Sequence, residues 1–360
     1  MTMVRTAEPR RGWRGIVQAA TVTTIVVGAG VAIYAERSTM HSGLSVLGDA
    51  RLKWLLIGVA AEFVSMLAFA LLEKGLLHAG GVPGGALNLR SVMATAYGAN
   101  AIAVAVPVVG SAMAASYAYR EFRRRGAEPH QVSVALAIAG VFSTIAFAVL
   151  AATGAVVTGN LAAAALAVAG GVAAAAVTGS LLVSMRFPRP RAWLERLMVA
   201  ALSTSKRVIR RPREEPAGMV ARALERVSSV RLGYRVGWQA FGWALVNWTA
   251  DVACLVCAVV AVRSPVPWRA ILLVWSAGAG AASFCPVPAG LGVVDIVLIT
   301  ALTAAGLPAP HAVAAVLLYR IITFKIFFTL GWLGYRRLRE RRHGGEAEAD
   351  VAAGGQAGPP

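Results

Sequence analysis

The chain has 360 residues, of which 58% are hydrophobic and 14% charged, and its mean hydropathy is +0.65. A soluble globular domain carries about 25% charged residues, so this composition excludes that class. The formal net charge of +18 would suit nucleic acid if the basic residues formed one surface. They fall instead in short blocks between long apolar runs, which is the arrangement of a polytopic membrane protein. We therefore expect a multi-pass membrane protein with no nucleic-acid partner.

Six apolar runs are long enough to cross a membrane as helices. At about 1.5 Å of rise per residue, roughly 20 helical residues span the hydrocarbon core. The runs cover residues 16–35, 53–72, 131–158, 161–185, 237–262 and 311–335. The first run follows a basic head, but it is longer than the apolar core of a signal peptide and lacks a clear cleavage site. We therefore expect it to be retained as a span.

Two further apolar regions, 91–119 and 269–306, are interrupted by proline and glycine. The interruptions consist of Pro107 and Gly110 in the first region and of Pro288, Gly290 and Gly292 in the second. Pro107 and Pro288 lie 181 positions apart. The helical pieces on either side of each break are too short to cross a membrane but suit half-helices. Apolar segments broken at matching points of two halves indicate a transporter binding site near the membrane midplane.

The basic residues predict how these two regions lie in the membrane. Lys and Arg concentrate before residue 16 and in 73–90, 120–125, 186–235 and 336–342, and the positive-inside rule places these blocks in the cytoplasm. That assignment requires 91–119 to begin and end inside and 269–306 to begin and end outside. Both regions are therefore predicted to be re-entrant hairpins of an inverted repeat. Because irregular backbone at that depth must line protein or water, we also expect a polar cavity between the hairpins.

The predicted fold class is an all-α polytopic membrane protein with six full spans and two re-entrant hairpins arranged as an inverted repeat. Its parts are a basic cytoplasmic N-terminus (1–15), a first membrane repeat (16–158, hairpin 91–119), a second membrane repeat (159–342, hairpin 269–306) and a disordered tail (343–360). The second repeat contains a basic cytoplasmic loop, 186–236, with two apolar stripes flanked by arginine. These stripes favour interfacial helices on anionic headgroups, although a plain positive-inside anchor explains the charge equally well.

Charged residues inside the apolar segments are costly in a membrane, so each is a functional candidate. They are Glu62, Asp251, Asp295, Arg320 and Lys325. Arg320 falls near the middle of its span, and its planar guanidinium suits bidentate contact with a phosphate. An ion pair with a membrane acid such as Asp295 would explain Arg320 equally well without a ligand.

The broken segments supply the other candidate substrate-binding residues. In addition to Asp295 and Arg320, they are Asn100, Pro107, Gly110, Pro288, Gly290 and Gly292. Helices that begin after Gly110 and after Gly292 would present free N–H groups and the positive end of the helix dipole, which favour an anionic group. A simple packing kink is the alternative interpretation of each break.

No catalytic or metal-binding pattern is apparent in the sequence. We find no Ser–His–Asp spacing, Walker loop or metal-ligand cluster, and the acids of the apolar segments stand isolated rather than paired. Cys254 and Cys257 form a CxxC inside an apolar run, where small buried side chains are the expected interpretation rather than a redox pair. We therefore expect a protein that is not an enzyme and that uses no cofactor and no metal.

Four short stretches carry a resemblance to a known family. They are ANAIAVAVP (99–107), YAYREFRRRG (117–126), PVPAGLGVVD (286–295) and LLYR (317–320). Over roughly residues 15–340 the chain resembles the lysylphosphatidylglycerol synthase transmembrane region, also called the flippase-like domain family. That family carries a Pro–Gly–Gly–Leu–Gly–Val–x–acid pattern followed by a Tyr–Arg pair. In this chain Ala289 replaces the usual first glycine, Asp295 replaces the usual glutamate, and Pro107 lacks the glycine that often follows it.

The resemblance implies a membrane domain that moves or presents phospholipids. In the full-length synthases this domain is fused to a cytoplasmic aminoacyl-transfer domain. Only 18 residues follow Arg342, so aminoacyl transfer is not expected here. The leading hypothesis is a flippase of a bacterial-type plasma membrane, with both termini in the cytoplasm. The alternatives are a membrane subunit of a lipid-modifying enzyme and an accessory scaffold that transports nothing.

The partners that this hypothesis implies are an anionic phospholipid or a polyprenyl-linked lipid, and the membrane itself. A second copy of the chain or a separate synthase is a further candidate partner.

The predicted topology can be tested with single introduced cysteines and an impermeant thiol reagent added to intact cells. Cysteines within 80–84, 126–128 and 212–216 should be protected, whereas cysteines within 41–45 and 265–267 should be labelled. The reason is that the positive-inside rule places the first three segments in the cytoplasm. Labelling of 126–128 from outside would remove the first hairpin and, with it, the inverted repeat.

Overall fold

The computed structural model describes residues 46–106, 110–184, 233–284, 290 and 292–326, and the regular elements in these ranges are all helical. The α-helices are α1 (Leu52–Ala79), α2 (Leu89–Ala105), α3 (Gly110–Arg124), α4 (Pro129–Val157), α5 (Leu161–Ser184), α6 (Tyr234–Ala261), α7 (Ile271–Phe284), α8 (Val293–Ala304) and α9 (Ala309–Arg320). A 3₁₀ turn, Gly84–Ala86, precedes α2. A π-helical turn, Ile321–Ile326, continues α9.

Three of these helices, α1, α4 and α6, are long and apolar enough to cross a membrane. They confirm membrane-length helices at the predicted spans 53–72, 131–158 and 237–262. Helix α5 has 24 residues and coincides with the fourth predicted span, 161–185. Helix α9 and the π turn cover the beginning of the last one, 311–335. The remaining predicted span, 16–35, the basic loop up to residue 232 and the tail 343–360 lie outside the described residues.

Two predicted boundaries were wrong by a few residues. Helix α1 continues to Ala79 rather than ending at residue 72, and α6 begins at Tyr234 rather than at residue 237. The apolar run in the sequence stops before two charged residues, Glu73 and Lys74. The Glu73 side chain is nevertheless buried, so the helix carries it into the protein interior.

Helices α1 and α6 pack against each other and run antiparallel. The amide N–H of Arg51, next to the start of α1, donates to the carbonyl of Ala261 at the end of α6 over 3.0 Å. Further into α1, Nδ2 of Asn247 donates to the carbonyl oxygen of Ser65 at 3.0 Å and to its Oγ at 2.9 Å. Residue numbers thus rise along α1 as they fall along α6, which defines an antiparallel register.

Helices α2 and α3 form an antiparallel hairpin around the first proline–glycine break. Near the break, Gly110 lies so close to Ala103 that an added Cβ would overlap the Ala103 carbonyl oxygen. At the open end, Nη1 of Arg125 donates to Oγ1 of Thr95 over 2.8 Å. The chain therefore folds back on itself between the two helices, and glycine at 110 allows the close approach.

Helices α7 and α8 are the two arms around the second break. A Cβ added to Gly278 of α7 would lie 2.8 Å from Cγ of Leu298 on α8, so the arms touch closely. Gly290 and Gly292 have φ angles of +62° and +83°, a region in which residues with a Cβ are strained. Both broken regions are thus built as packed helix pairs, and their re-entrance into a membrane stays a prediction.

The helices of the two halves recur at a nearly constant interval. Helix α6 begins 182 residues after α1 (234 against 52), and α7 begins 182 after α2 (271 against 89). Helix α8 begins 183 residues after α3 (293 against 110), and α9 begins 180 after α4 (309 against 129). Each half therefore contains, in the same order, a long helix, two shorter paired helices and a further helix. The interval agrees with the 181-residue spacing of the two prolines.

Two apolar cores lie one in each half and are joined through α6 and α9. The first is built mainly from α1 to α4 and the second mainly from α6 to α9. Leu245, Trp248 and Tyr319 pack against both cores. Cys254 and Cys257 are buried free thiols at the α1–α6 contact, as expected for small apolar side chains.

The crossing of α4 and α7 predicts a steric requirement at Gly154. A Cβ added there would lie 2.7 Å from Cβ of Leu272 and 2.7 Å from the backbone nitrogen of Leu273. Backbone cannot move aside cheaply, so Gly154→Ala should destabilise the protein by about 1–3 kcal/mol. Thermal unfolding of the purified protein measures the effect.

Gly140 on the same helix is the matched control, since an added Cβ there meets nothing within 4 Å. Gly140→Ala should leave the unfolding temperature unchanged or raise it, because alanine favours a helix by about 0.5–1 kcal/mol over glycine. Equal unfolding temperatures for the two variants would contradict the described crossing.

Candidate functional site

Asp251 on α6 is held by donors from two other helices. Nε1 of Trp275 on α7 donates to Oδ2 over 3.0 Å, and the Tyr319 hydroxyl on α9 donates to Oδ1 over 2.9 Å. Each carboxylate oxygen therefore has one neutral donor. This is how a carboxylate can lie among apolar helices without a cation beside it.

Glu62 on α1 completes this group, because its carboxyl lies within hydrogen-bonding reach of that of Asp251. Glu62 is only 7% exposed, and its Oε2 has no hydrogen-bond partner among the described residues. The expectation that the acids of the apolar segments are isolated is therefore wrong for these two. They lie 189 residues apart in the sequence (251 against 62) and meet because α1 and α6 are antiparallel.

The contact between the two carboxyl groups has a direct chemical consequence. An ionised carboxylate accepts hydrogen bonds and donates none. A hydrogen bond between the carboxyls of Glu62 and Asp251 thus requires a proton on one of them. We call these two residues the carboxyl pair.

Aromatic rings fix the position of the Trp275 donor. The ring centroids of Trp275 and Trp248 lie 5.5 Å apart, and Phe147 lies 5.5 Å from Trp275 and 5.7 Å from Trp248. Such tilted and edge-on contacts are the favoured geometry of aromatic pairs. Nε1 of Trp248 also donates to the carbonyl of Ser143 over 2.8 Å, which ties the cluster to α4. The indole that binds Asp251 is therefore held by packing on both sides.

The second site lies at the break between α7 and α8. Oδ1 of Asp295 and Nε of Arg320 form an ion pair of 2.8 Å, with 28% and 18% of the two side chains exposed. The other oxygen of Asp295, Oδ2, accepts the backbone N–H of Gly292 over 2.9 Å. Asp295 therefore caps the start of α8 and also neutralises an arginine at the end of α9. Of the two explanations for Arg320 offered by the sequence, the ion pair is present.

The helix changes its winding immediately after Arg320. Residues Ile321–Ile326 form a π-helical turn, in which Thr323 Oγ1 donates to the carbonyl of Tyr319 over 3.0 Å. Single π turns inside α-helices are rare and occur frequently at functional sites. Lys325, a predicted intramembrane charge, has its backbone in this turn, and its side chain lies outside the described part of the chain.

The remaining predicted site residues separate between the two helix pairs. Gly292, Asp295 and Arg320 come together at the second break, where Gly290 also lies. Asn100 is on α2 with a half-buried side chain, and Gly110 is the first residue of α3. Pro107 and Pro288 lie outside the described residues.

Three polar residues were missed in the sequence, two at the Asp251 site and one further along α1. Trp275 and Tyr319 are the donors to Asp251, and neither stands out in an apolar run that contains many aromatic residues. The third, Glu73, is 4% exposed, and its Oε2 has no hydrogen-bond partner among the described residues. Glu73 lies three helical turns beyond Glu62 on the same face of α1. A predicted span that continued past residue 72 would include it.

An all-helical chain with membrane-length helices, paired helices at matching breaks and buried charges is a multi-pass membrane protein. The sequence profile described as "Lysylphosphatidylglycerol synthase TM region" matches residues 20–331, and the chain belongs to this family. The resemblance drawn from the four short stretches is thereby confirmed. The family relates the chain to membrane proteins of lipid modification. A search of curated proteins finds no match.

The hydrogen bonds to Asp251 predict the effect of removing one donor. Tyr319→Phe deletes only the hydroxyl and leaves Oδ1 of Asp251 short of its donor. Loss of a partner from this partly buried acceptor should lower stability by about 1–2 kcal/mol. The control is Tyr234→Phe, since that side chain is 79% exposed at the start of α6. Thermal unfolding should fall for the first variant only, and an unchanged value for Tyr319→Phe would contradict the bond.

Proposed function

We propose that the protein moves a phospholipid or another lipid-linked substrate between the two leaflets of a bacterial-type plasma membrane. The observation that carries this proposal is the ion pair between Arg320 and Asp295 at the second helix break. It combines a phosphate-binding side chain with an acid that can give way to a phosphate. Membership of the lysylphosphatidylglycerol synthase TM region family supports a lipid as the substrate.

The geometry of the pair supports exchange rather than permanent neutralisation. Both side chains retain some exposure, so a headgroup can reach them. If Asp295 releases Arg320, it keeps its hydrogen bond from the N–H of Gly292 and is not left without a partner. Arg320 can then bind two phosphate oxygens through its planar guanidinium. The start of α8 lies beside this point and adds the positive end of a helix dipole.

The arrangement of the two halves supports transport by an inverted repeat. Helices α1 and α6 are counterparts at an interval of 182 residues, and they run antiparallel. Asn247 is the counterpart of Ser65 at that interval (247 against 65), and these two residues bond to each other. A residue touches its own counterpart only where a two-fold axis passes. In our proposal the axis lies between Ser65 and Asn247, in the membrane plane, and relates two re-entrant hairpins that enter from opposite sides.

A second candidate function is a membrane subunit of a lipid-modifying enzyme. It is favoured by the carboxyl pair, since two neighbouring carboxyl groups are suited to general acid–base chemistry. The two functions differ in their products. An enzyme generates new lipid species, visible by mass spectrometry when the gene is expressed, whereas a flippase changes only the leaflet. If neither new lipid species nor lipid movement between leaflets is detected and a stable protein co-purifies, an accessory scaffold is favoured instead.

The direct test is reconstitution into vesicles with labelled phospholipids and polyprenyl-linked lipids. The protein should accelerate transbilayer movement of at least one labelled lipid relative to protein-free vesicles. No acceleration across a broad lipid panel would overturn the proposed function.

Variants of Arg320 test whether the ion pair takes part in the movement. Arg320→Ala leaves Asp295 without its cation and should cost about 1–3 kcal/mol of stability, less than in a fully buried pair because both side chains are partly exposed. The Arg320→Ala/Asp295→Ala double variant should recover only part of that stability, because the N–H of Gly292 loses its acceptor, and it should still fail to move lipid. Arg320→Lys should keep part of the activity, since charge remains but the bidentate fork is lost.

Arg269→Ala is the matched control, because Arg269 is an exposed arginine in the same half of the chain. It should retain both stability and lipid movement. A double variant that folds and moves lipid like the parent protein would defeat the role assigned to Arg320.

A further inference from the structure

The carboxyl pair is a built site to which four helices contribute. Helix α1 supplies Glu62, α6 supplies Asp251, and α7 and α9 supply the donors Trp275 and Tyr319. The first helix belongs to one half of the repeat and the other three to the second half. The pair therefore lies at the joint between the halves, one helical turn from the bond between Ser65 and Asn247.

The donor arrangement suits a proton better than a metal cation. Both oxygens of Asp251 already accept from an N–H or an O–H group, and a metal would have to displace these donors. No group of three or more His, Cys, Asp or Glu side chains is placed to hold a metal within the described part of the chain. A proton, in contrast, is what the bond between the two carboxyls already requires.

An oxygen of Glu62 without a hydrogen-bond partner is a second indication of a proton-binding site, besides the contact between the two carboxyls. Its Oε2 is buried and accepts no hydrogen bond from any described residue, whereas each oxygen of Asp251 has a donor. Buried polar atoms without a partner are rare, because each costs free energy. An acceptor left open beside a shared proton is suited to the arrival and departure of that proton.

Among the described residues, the titratable groups that interact with the carboxyl pair supply no positive charge. Those whose electrostatic interaction with the pair is described are Tyr97 on α2, Cys254 on α6 and Tyr319 on α9. None of these carries a positive charge in any protonation state. Arg320 follows Tyr319 in the chain, but it is paired with Asp295 at the second break. Loss of the shared proton therefore sets two like charges against each other across the α1–α6 contact.

We propose that Glu62 and Asp251 form a proton-binding site that couples lipid movement to proton movement across the membrane. When the proton is bound, the two carboxyls hold α1 and α6 together. When it leaves, their repulsion loosens the joint between the halves. The proton enters from one side of the membrane and leaves to the other; only the O–H bond of the protonated carboxyl forms and breaks. This inference rests on the proposed function, since lipid movement is the process that is coupled.

The experiment measures the leaflet distribution of a labelled phospholipid in vesicles that contain the full chain, with an imposed proton gradient of either sign. For the parent protein, a gradient of about one pH unit should shift the final leaflet ratio by up to about tenfold per proton. The shift should reverse with the sign of the gradient and disappear with a protonophore. Glu62→Gln cannot release the shared proton and keeps α1 and α6 joined, so its lipid movement should be slowed and its final leaflet ratio should be the same under both gradients.

Glu73→Gln is the matched control, because Glu73 is another buried carboxyl on the same face of α1 and lies outside the pair. It should respond to the gradient like the parent protein. Glutamine at 62 keeps the size of the side chain and can donate an amide N–H to Asp251, so this variant should fold. Asp251→Asn provides a second variant with the same expected loss of the gradient response.

The outcomes separate the coupling from the proposed function. The coupling is overturned if the parent protein equilibrates lipid to the same ratio with and without the gradient. It is also overturned if Glu62→Gln responds to the gradient as the parent does. Neither result contradicts the proposed lipid movement. If the parent moves no lipid under any gradient, the proposed function fails and the coupling fails with it. Infrared spectroscopy gives a readout without transport, namely a protonated-carboxyl C=O band in the parent at neutral pH that Glu62→Gln removes. Absence of that band in the parent would also overturn the site.

Discussion

The antiparallel contact between α1 and α6 is the interaction on which the rest of the described structure depends. Between helices in a membrane, association comes from close packing and hydrogen bonds, because the lipid is as apolar as the side chains. This contact uses both, with Ser65 bonded to Asn247 and Glu62 bonded to Asp251. A slip of either helix by one turn would separate both pairs. The register of the two halves is therefore fixed by a few polar bonds.

Partly buried polar groups elsewhere also take their partners from different helices. Asp251 receives donors from α7 and α9, and Arg320 on α9 meets Asp295 on α8. Since an unpartnered charge is costly in an apolar environment, each of these bonds restricts which helices can be neighbours. Apolar packing alone would accept many arrangements of Ala- and Val-rich helices. The polar bonds favour the observed arrangement over those alternatives, which is a specificity role rather than a gain in stability.

Sequence patterns predicted the helices and the breaks but not the contacts between them. The lengths of the apolar runs predicted the helices around 53–72, 131–158 and 237–262. Proline together with glycine predicted the two breaks between paired helices. Both signals are local properties of the sequence. The bond between Glu62 and Asp251 depends on the register of two distant helices, which no local pattern encodes. The end of α1 was also missed, since hydropathy reads Glu73 as a boundary whereas tertiary packing buries it. The ion pair between Arg320 and Asp295 was predictable, because the apolar segments contain few charged residues that could pair with either side chain.

The end of α9 connects the two sites physically. Tyr319 and Arg320 are adjacent in the chain, yet the first donates to Asp251 and the second pairs with Asp295. Adjacent helical residues point about 100° apart, so one short segment reaches two neighbours at once. A displacement of this segment that releases Arg320 from Asp295 also moves the donor of the carboxyl pair. The regular α-helix ends at Arg320, and a π-helical turn, a conformation frequent at functional sites, follows directly. Under the proposed function, a proton at one site and a phosphate at the other act on the same few residues.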